Sequence, residues 1–115
     1  MEIKNSKYIS NDAKIYCEDA WNYNAPHHFN VLSNEGKILA EIDFQEGPIK
    51  EAGVNGIQNE DLILMIITRL EAFQNSDYRC DENQEAISSL REALDSLNNR
   101  RAKRIANNTE GTSQA

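Results

Sequence analysis

The sequence predicts an α+β protein in which a small N-terminal antiparallel β-sheet is followed by a long antiparallel helical hairpin. Every second residue of 37–44 is apolar, and apart from Leu39 the residues between them are charged, which is typical of a strand with one mostly buried face. Two segments within residues 57–108 space their apolar residues three and four apart, as amphipathic helices do. Neither Gly nor Pro occurs between Ile57 and Glu110, and their absence permits helices in that stretch. We therefore expect a single domain composed of a sheet and linker (1–56), a helical hairpin (57–108) and a polar tail (109–115).

Three strands are predicted in the first half of the chain. Within the polar residues 1–24, Ala13 to Cys17 is the only segment with the composition of a strand. Farther on, His28 to Leu32 and Lys37 to Phe44 flank Ser33 to Gly36, whose residues favour a turn. The last two strands are therefore expected to form a hairpin.

A linker without regular structure is predicted between the last strand and the first helix. Gly47-Pro48 is expected to end the strand, and Gly53 to Gly56 to form a turn whose glycines allow positive φ. At the other end of the chain, residues 109–115 are small and polar, which is typical of a frayed tail.

The two helices are predicted by their apolar stripes, and a polar break at Asn75 to Asp81 joins them into an αα-hairpin. The stripe of the first helix consists of Leu62, Ile63, Ile66, Ile67, Leu70 and Phe73, with Leu64 and Met65 outside it. The stripe of the second helix consists of Ala86, Ile87, Leu90, Ala93, Leu94, Leu97 and Ile105.

Capping and charged residues mark the ends of both helices. Asn59 is the expected N-cap of the first helix, and Asp81 with Gln84 resembles a capping box for the second. Acidic residues at the start of the first helix and cations at the end of the second match the helix dipole. These residues are Glu60, Asp61, Arg100, Arg101, Lys103 and Arg104.

A homo-oligomer is predicted from the amount and distribution of apolar residues. The chain has 115 residues, 39% of them hydrophobic, and a mean hydropathy of −0.69, which leaves little material for the core of an isolated monomer. The first helix is apolar around most of its circumference, and one partner helix cannot cover it. A second copy of the chain, bound through the helices, is the simplest cover.

The composition also excludes several classes of partner. The net charge of −7 opposes binding to long DNA or RNA, although a local cationic pocket can still bind a small anion at contact range. No apolar run approaches the roughly 20 residues that span a bilayer, and the first ten residues lack the apolar core of a secretory signal. A soluble intracellular protein without a membrane partner is therefore expected. Cys17 and Cys80 are expected to be free thiols.

The sequence offers no catalytic machinery, so we expect neither an enzyme nor a metal or other cofactor. His27 and His28 are adjacent and would point to opposite faces of a strand, and no Cys, His or carboxylate spacing accompanies them as a metal site requires. The sequence also lacks a phosphate-binding glycine loop, a nucleophile elbow and an H-E-x-x-H helix.

Three residues of the hairpin are candidate ligand contacts. Taken singly, Phe73 is a core residue, Asn83 a capping or surface residue, and Arg100 a cation matched to the helix dipole. Together they supply an aromatic face, an amide and a guanidinium, which can stack a base, bind a base edge or ribose, and clamp a phosphate. Antiparallel helices of two copies can bring such residues together, because about 17 residues of helix span roughly 25 Å. The residue types alone leave both interpretations open.

A series of motifs runs through the second half of the chain. It begins with FQEGPIKEAGVNGIQNEDLILMIITRLEAFQ (Phe44 to Gln74) and continues with C-x-x-N (Cys80 to Asn83), a Leu/Ala-rich helix ending in Arg100, and EGT (Glu110 to Thr112). In these motifs the sequence resembles the phage Thoeris anti-defence protein one (Tad) family of signal sponges. That family is related through its helical hairpin to the anti-CBASS protein two sponges. The resemblance covers about residues 25–112, and GPIKEAGVNG is its most specific part.

The resemblance implies a phage protein that sequesters immune signals in the cytoplasm of the host bacterium and does no chemistry. Family members bind glycocyclic ADP-ribose, the product of Toll/interleukin-receptor-like Thoeris enzymes, in a pocket whose matching positions here are Phe73, Asn83 and Arg100. The resemblance further implies dimers grouped into hexamers. It also implies binding of CBASS cyclic di- and trinucleotides at a second, separate pocket.

The C-terminal tail departs from the family pattern. Ala106-Asn107-Asn108-Thr109 stands where Arg-Gly-Val is usual near the EGT motif, so a second pocket built there lacks that Arg. Thr112 is a candidate donor of its hydroxyl to a phosphate.

Two rival functions follow from the same sequence. In the first, the protein is an interaction module without a small ligand, and its exposed helix faces bind a partner protein. In the second, it is a phosphodiesterase that degrades the signal, which the lack of metal-ligand spacing disfavours.

Overall fold

The computed structural model describes residues 1–5, 7, 8 and 10–107. Its elements, in chain order, are β1 (Glu2–Ile3), β2 (Ala13–Cys17), β3 (His28–Ser33), β4 (Ile38–Asp43), α1 (Ile49–Ala52), α2 (Asn59–Gln74) and α3 (Asp81–Ala106). The contacts divide the chain into two compact units, a sheet unit (Met1–Ile57) and a hairpin unit that begins at Gln58. No helix among the described residues combines the length and the apolar character needed to cross a bilayer. The predicted α+β class is confirmed.

The sheet unit is built on one antiparallel sheet with the strand order β1-β2-β3-β4. The register places Cys17 opposite Phe29 and His28 opposite Asp43. All three predicted strands are confirmed. The prediction that residues 1–24 contain a single strand is wrong, because β1 is a second one. Two residues are too few to show an alternation, so the sequence does not indicate this strand.

Few side chains of the sheet unit are fully buried. Cys17 and His27 each retain 7% of their accessible surface, and the rings of Phe29 and Phe44 pack edge to face with centroids 5.5 Å apart. Nε2 of His27 lies 2.7 Å from the carbonyl oxygen of Asn22, and because a carbonyl can only accept, Nε2 carries the proton and donates it. This hydrogen bond satisfies the buried imidazole.

The linker after β4 is more ordered than the sequence predicts. α1 is a single helical turn that follows Pro48, whose φ is −64°, and its C-terminal cap is Gly53 with φ of 72°. The fixed φ of proline suits the start of a helix, but four residues cannot display a helical period. The positive φ predicted at Gly53 is confirmed.

Gly56 is required for a different reason from the one predicted, because its φ is not positive. A Cβ at this position would lie 2.4 Å from the carbonyl carbon of Phe44. The close approach allows the N–H of Ile57 to donate to the oxygen of Asp43 at 2.9 Å, and the N–H of Gln45 to donate to the oxygen of Ile57 at 2.8 Å. Gly56 therefore permits a parallel bridge between the linker and the end of β4.

The N-cap of α2 lies one residue earlier than predicted. Asn59 is the first helical residue and Gln58 is the N-cap, and the carboxylate of Asp61 accepts the backbone N–H of Gln58 at 2.9 Å. An amide or carboxylate residue close to a helix start fits either position, so sequence composition could not separate the two.

The side-chain amide of Gln74 ties the end of α2 to the start of α3. Gln74 donates from Nε2 to the carbonyl oxygen of Cys80 at 3.0 Å and accepts the N–H of Cys80 at Oε1, also at 3.0 Å. Cys80 is the N-cap of α3 and makes no capping hydrogen bond through its side chain. The predicted capping box of Asp81 and Gln84 is therefore wrong. The N-cap is Cys80, and the side chain that holds it belongs to Gln74 of the other helix.

The hairpin unit owes its core to the packing of α2 against α3. Ile67 and Ile87 retain only 3% and 2% of their surface, and an ion pair of 3.3 Å joins Glu71 of α2 to Arg91 of α3. Three members of the predicted apolar stripes are exposed in the single chain. They are Ile66, Ala93 and Ile105.

Truncation of the buried isoleucine of α3 should destabilise the hairpin unit. Ile87→Ala is expected to lower the free energy of unfolding by about 2–5 kcal/mol, because it leaves a cavity where the two helices pack. Urea unfolding followed by far-ultraviolet circular dichroism measures the change. Ile105→Ala is the matched control, since Ile105 is 55% exposed and its loss should change stability by less than about 0.5 kcal/mol. Equal effects of the two substitutions would contradict the assigned core.

Candidate functional site

Phe73 lies in the last turn of α2, where it is half-buried and has two close neighbours. The guanidinium carbon of Arg69 lies 5.2 Å from the ring centroid, and the ring of Tyr78 meets that of Phe73 edge on at 6.4 Å. A cation over the face of an aromatic ring is attracted by its negative π-surface. The connected end of the hairpin therefore carries an aromatic pair with a cation beside it.

The loop that carries Tyr78 is ordered by Ser76. Its hydroxyl donates to the carbonyl oxygen of Phe73 at 2.6 Å and accepts the N–H of Tyr78 at 3.1 Å. Together with the Gln74 bonds to Cys80, these contacts replace the backbone hydrogen bonds that end with α2. The aromatic pair is thus held by the connection itself.

Asn83 lies at the same end of the hairpin as Phe73. It is the third residue of α3, half-buried, and it shares the first turn with the acidic residues Asp81 and Glu82. In the part of the chain that the structure describes, no hydrogen bond engages its side-chain amide. Both the donor and the acceptor of this amide are available to a ligand.

Arg100 lies near the opposite end of α3 and is exposed. A helix rises 1.5 Å per residue, so Arg100 is about 25 Å along the axis from Asn83. Among the described residues, no carboxylate pairs with its guanidinium. One hairpin therefore groups Phe73 with Asn83 and leaves Arg100 apart. Thr112, the fourth predicted contact, lies outside the described residues.

Sequence reasoning missed Arg69 and Tyr78, which the structure adds to the surroundings of Phe73. Arg69 could have been found, because residues four apart on a helix are neighbours on its surface. Tyr78 has no such signal, since its position depends on how the connecting loop turns.

A cavity of about 460 Å³ lies in the sheet unit beside β1 and β2. Its lining is apolar at Ile3, Tyr8 and Ile15 and carries charges of both signs. The charged residues are Glu2, Lys4 and Lys14. None of the three described candidate residues lines it.

A second polar cluster surrounds His28 in the sheet unit. Nδ1 of His28 donates to Oδ1 of Asp43 at 2.9 Å, and Nε2 lies 3.9 Å from Oε2 of Glu18 and 3.5 Å from Oε1 of Glu46. The prediction concerns spacing along the sequence, where no Cys, His or carboxylate pattern of a metal site accompanies the histidines, whereas the structure brings carboxylates to His28 from separate segments. Strand pairing brings Asp43 opposite His28, and that pairing is not visible in local spacing.

The contacts within the cluster shift the pKa values of His28 and Glu18 in opposite directions. The hydrogen bond from Asp43 raises the pKa of His28 above its ordinary value of 6.5, with further contributions from Glu46 and Glu18, and desolvation acts in the opposite direction. Desolvation on its own would raise the pKa of Glu18, but hydrogen bonds from the backbone N–H groups of His28 and His27 lower it overall.

Loss of the carboxylate opposite His28 should shift the titration of that residue. Asp43→Asn is expected to lower the pKa of His28 towards 6.5, measured from the imidazole proton resonances in buffer with a chelator. Because the folded pKa is raised, the pair stabilises the protein fully below about pH 6.5, and this stabilisation is lost as the pH rises through the folded pKa. Glu35→Gln, at the far turn of the β3–β4 hairpin, should leave the titration unchanged. An unshifted curve for Asp43→Asn would contradict the hydrogen bond.

Residues 36–102 match the family model of the Acb2/Tad1 hairpin domain. The match covers more than half of the chain and includes all of α2 and most of α3. The chain therefore belongs to the Acb2/Tad1 hairpin family.

A relative with the name Thoeris anti-defense 1, from Bacillus phage SBSphiJ7, is 39% identical over an alignment of 137 positions, gaps included. The alignment covers 96% of each chain. It includes the sheet unit, which the hairpin match alone reaches only in part. The resemblance to the Tad family is thus confirmed, and the chain is a homologue of a phage anti-defence protein.

Proposed function

We propose that this chain is a phage anti-defence sponge that binds cyclic ADP-ribose isomers, including glycocyclic ADP-ribose, and sequesters them without cleavage in the host cytoplasm. The observation that carries the proposal is the 39% identity to Thoeris anti-defense 1 over 96% of both chains. A sponge acts by mass action, so its affinity must be tighter than that of the immune effector, on the order of nanomolar or about −12 kcal/mol.

Phe73, Asn83 and Arg100 form the proposed ligand pocket. Phe73 stacks the adenine base, Asn83 pairs with a base edge or ribose hydroxyl, and Arg100 clamps a phosphate through its planar guanidinium. The geometry supports these roles, because the Asn83 amide and the Arg100 guanidinium have no partners among the described side chains. Arg69 extends the same site, since its guanidinium already lies over the ring of Phe73 and could stay stacked or turn to a phosphate.

The pocket is proposed to be completed by a second copy of the chain. About 25 Å of α3 separates Asn83 from Arg100, which is too far for one cyclic dinucleotide-sized ligand to bridge. An antiparallel copy would bring its own Arg100 to the end that carries Phe73 and Asn83. Further support comes from apolar side chains on α2 that a single chain leaves exposed. They are Leu64 (54%), Met65 (57%) and Ile66 (42%). A homodimer, or dimers grouped into a hexamer, is therefore part of the proposal.

A second ligand class, the cyclic di- and trinucleotides of CBASS, is proposed to bind at a separate pocket. Its candidate contact is Thr112. Occupancy of the two pockets should be independent, so saturation with glycocyclic ADP-ribose should not displace a cyclic dinucleotide. Competition between them would reject a separate pocket.

Removal of the proposed phosphate clamp should weaken binding without changing the fold. Arg100→Ala is expected to cost roughly 2–4 kcal/mol in calorimetric titration with glycocyclic ADP-ribose, about 30- to 900-fold in Kd, because it removes a charge-assisted contact. Lys103→Ala is the matched control, since Lys103 is an exposed cation in the last turn of the same helix and should contribute little. Equal losses of affinity in both variants would indicate that the ligand is attracted by the overall positive charge of this helix end, and would reject the assigned contact.

The sponge itself is tested by recovery of the ligand. Purified protein is incubated with glycocyclic ADP-ribose, free ligand is removed, the protein is heat-denatured, and the released material is analysed. Intact ligand that appears only after denaturation supports sequestration. Ligand that stays free and intact favours an interaction module that binds a partner protein through its exposed helix faces. Cleaved product would require an enzyme.

A further inference from the structure

The imidazole of His28 lies between two carboxylates without a well-formed hydrogen bond to either. Its Nε2 is 3.5 Å from Glu46 and 3.9 Å from Glu18, whereas a good N–H···O hydrogen bond measures about 2.7–3.2 Å. The three groups are half-exposed to partly buried, so solvent reaches them. The space between these atoms is too wide for a shared proton and wide enough for an ion.

Hydrogen bonds of His28 and Glu18 to their other neighbours orient Nε2 of His28 and Oε2 of Glu18 towards each other. Asp43 accepts the Nδ1 proton of His28 at 2.9 Å, so in the neutral imidazole the lone pair of Nε2 faces Glu18 and Glu46. Oε1 of Glu18 accepts the backbone N–H groups of His27 and His28, both at 3.2 Å, which leaves Oε2 facing Nε2. A carboxylate behind a histidine is the usual support of a metal-bound imidazole.

The spacing fits a tetrahedral cation. With bonds of about 2.1 Å, two ligands of a tetrahedral Zn²⁺ lie about 3.4 Å apart. One atom from each of Glu18, His28 and Glu46 lies within 4.8 Å of the others, and the two distances to Nε2 are already close to the tetrahedral edge. Small rotations of these accessible side chains would complete the fit.

We propose that Glu18, His28 and Glu46 form a binding site for a divalent transition-metal cation, with Zn²⁺ the best match to one imidazole and two carboxylates. Asp43 is a positioning residue that holds the imidazole, and solvent occupies the open coordination position. The three carboxylates around the imidazole carry a charge of −3, which a proton on His28 reduces to −2 and a dication on the neutral imidazole reduces to −1.

The site would tie together three distant segments of the sheet unit. Glu18 follows β2, His28 begins β3, and Glu46 lies beyond β4. A ligand that binds only the folded state stabilises it by mass action, so Zn²⁺ should raise the melting temperature. The inference does not depend on the proposed sponge function, because none of these residues belongs to the nucleotide pocket.

Calorimetric titration of the chelator-stripped, full-length protein with ZnCl₂ tests the proposal. The expected result is one Zn²⁺ per chain, with Mg²⁺ binding much more weakly. His28→Gln and Glu46→Gln should each weaken binding at least tenfold, and Asp43→Asn about 10- to 100-fold. Glu35→Gln is the matched control, an exposed carboxylate of the same unit, and should leave Kd within about twofold. Circular dichroism establishes that each variant is folded.

Two further measurements separate this site from other zinc ligands. Cys80 is an exposed thiol, and Cys80→Ser should retain the binding. Zn²⁺ should shift the imidazole resonances of His28 and leave those of buried His27 in place. Absence of binding, binding unchanged in His28→Gln, loss of binding in Cys80→Ser, or Mg²⁺ binding of equal strength would each overturn the proposal. The cluster would then be an ion-paired imidazole only.

Discussion

The packing of α2 against α3 is the constraint on which the hairpin unit depends. It buries Ile67 and Ile87 and places the last turn of α2 beside the first turn of α3. Phe73 and Asn83 share one end of the hairpin for that reason, although the polar connection separates them in sequence. The length of α3 then fixes how far Arg100 lies from both. Core packing and helix length therefore decide which candidate ligand contacts one chain can supply.

The parts of the fold that could be predicted are those with a repeating local signal. The apolar pattern repeats several times in residues 37–44 and in the stripe through Ile67. The strand and the helix predicted there are confirmed. β1 and α1 are too short to repeat, so no period exists to detect. The predicted cap of α3 is wrong for a related reason. The residue that holds the N-cap Cys80 is Gln74 of the preceding helix, and no residue next to Asp81 indicates this contact.

The candidate sites follow the same division. Phe73, Asn83 and Arg100 could be named because a family pattern and residue chemistry mark them, and their joint role stays a prediction. The carboxylates around His28 could not be named, because they come from separate strands and meet only through sheet register. The chain thus separates its charges, with cations at the end of α3 and a carboxylate cluster in the sheet unit. A net charge of −7 conceals this arrangement.

The parallel bridge at Ile57 also has a consequence for aggregation. β4 is an edge strand of the sheet, and an open edge can recruit a strand from another molecule. Ile57 occupies the hydrogen-bonding groups of Asp43 and Gln45, so the linker closes the last part of that edge. Among the described residues, no strand pairs with the earlier part of this edge, which carries Ile38 and Leu39, each 54% exposed. The first half of β4 is therefore the part of this edge most prone to β-aggregation, and a charged side chain there would do most to keep the chains apart.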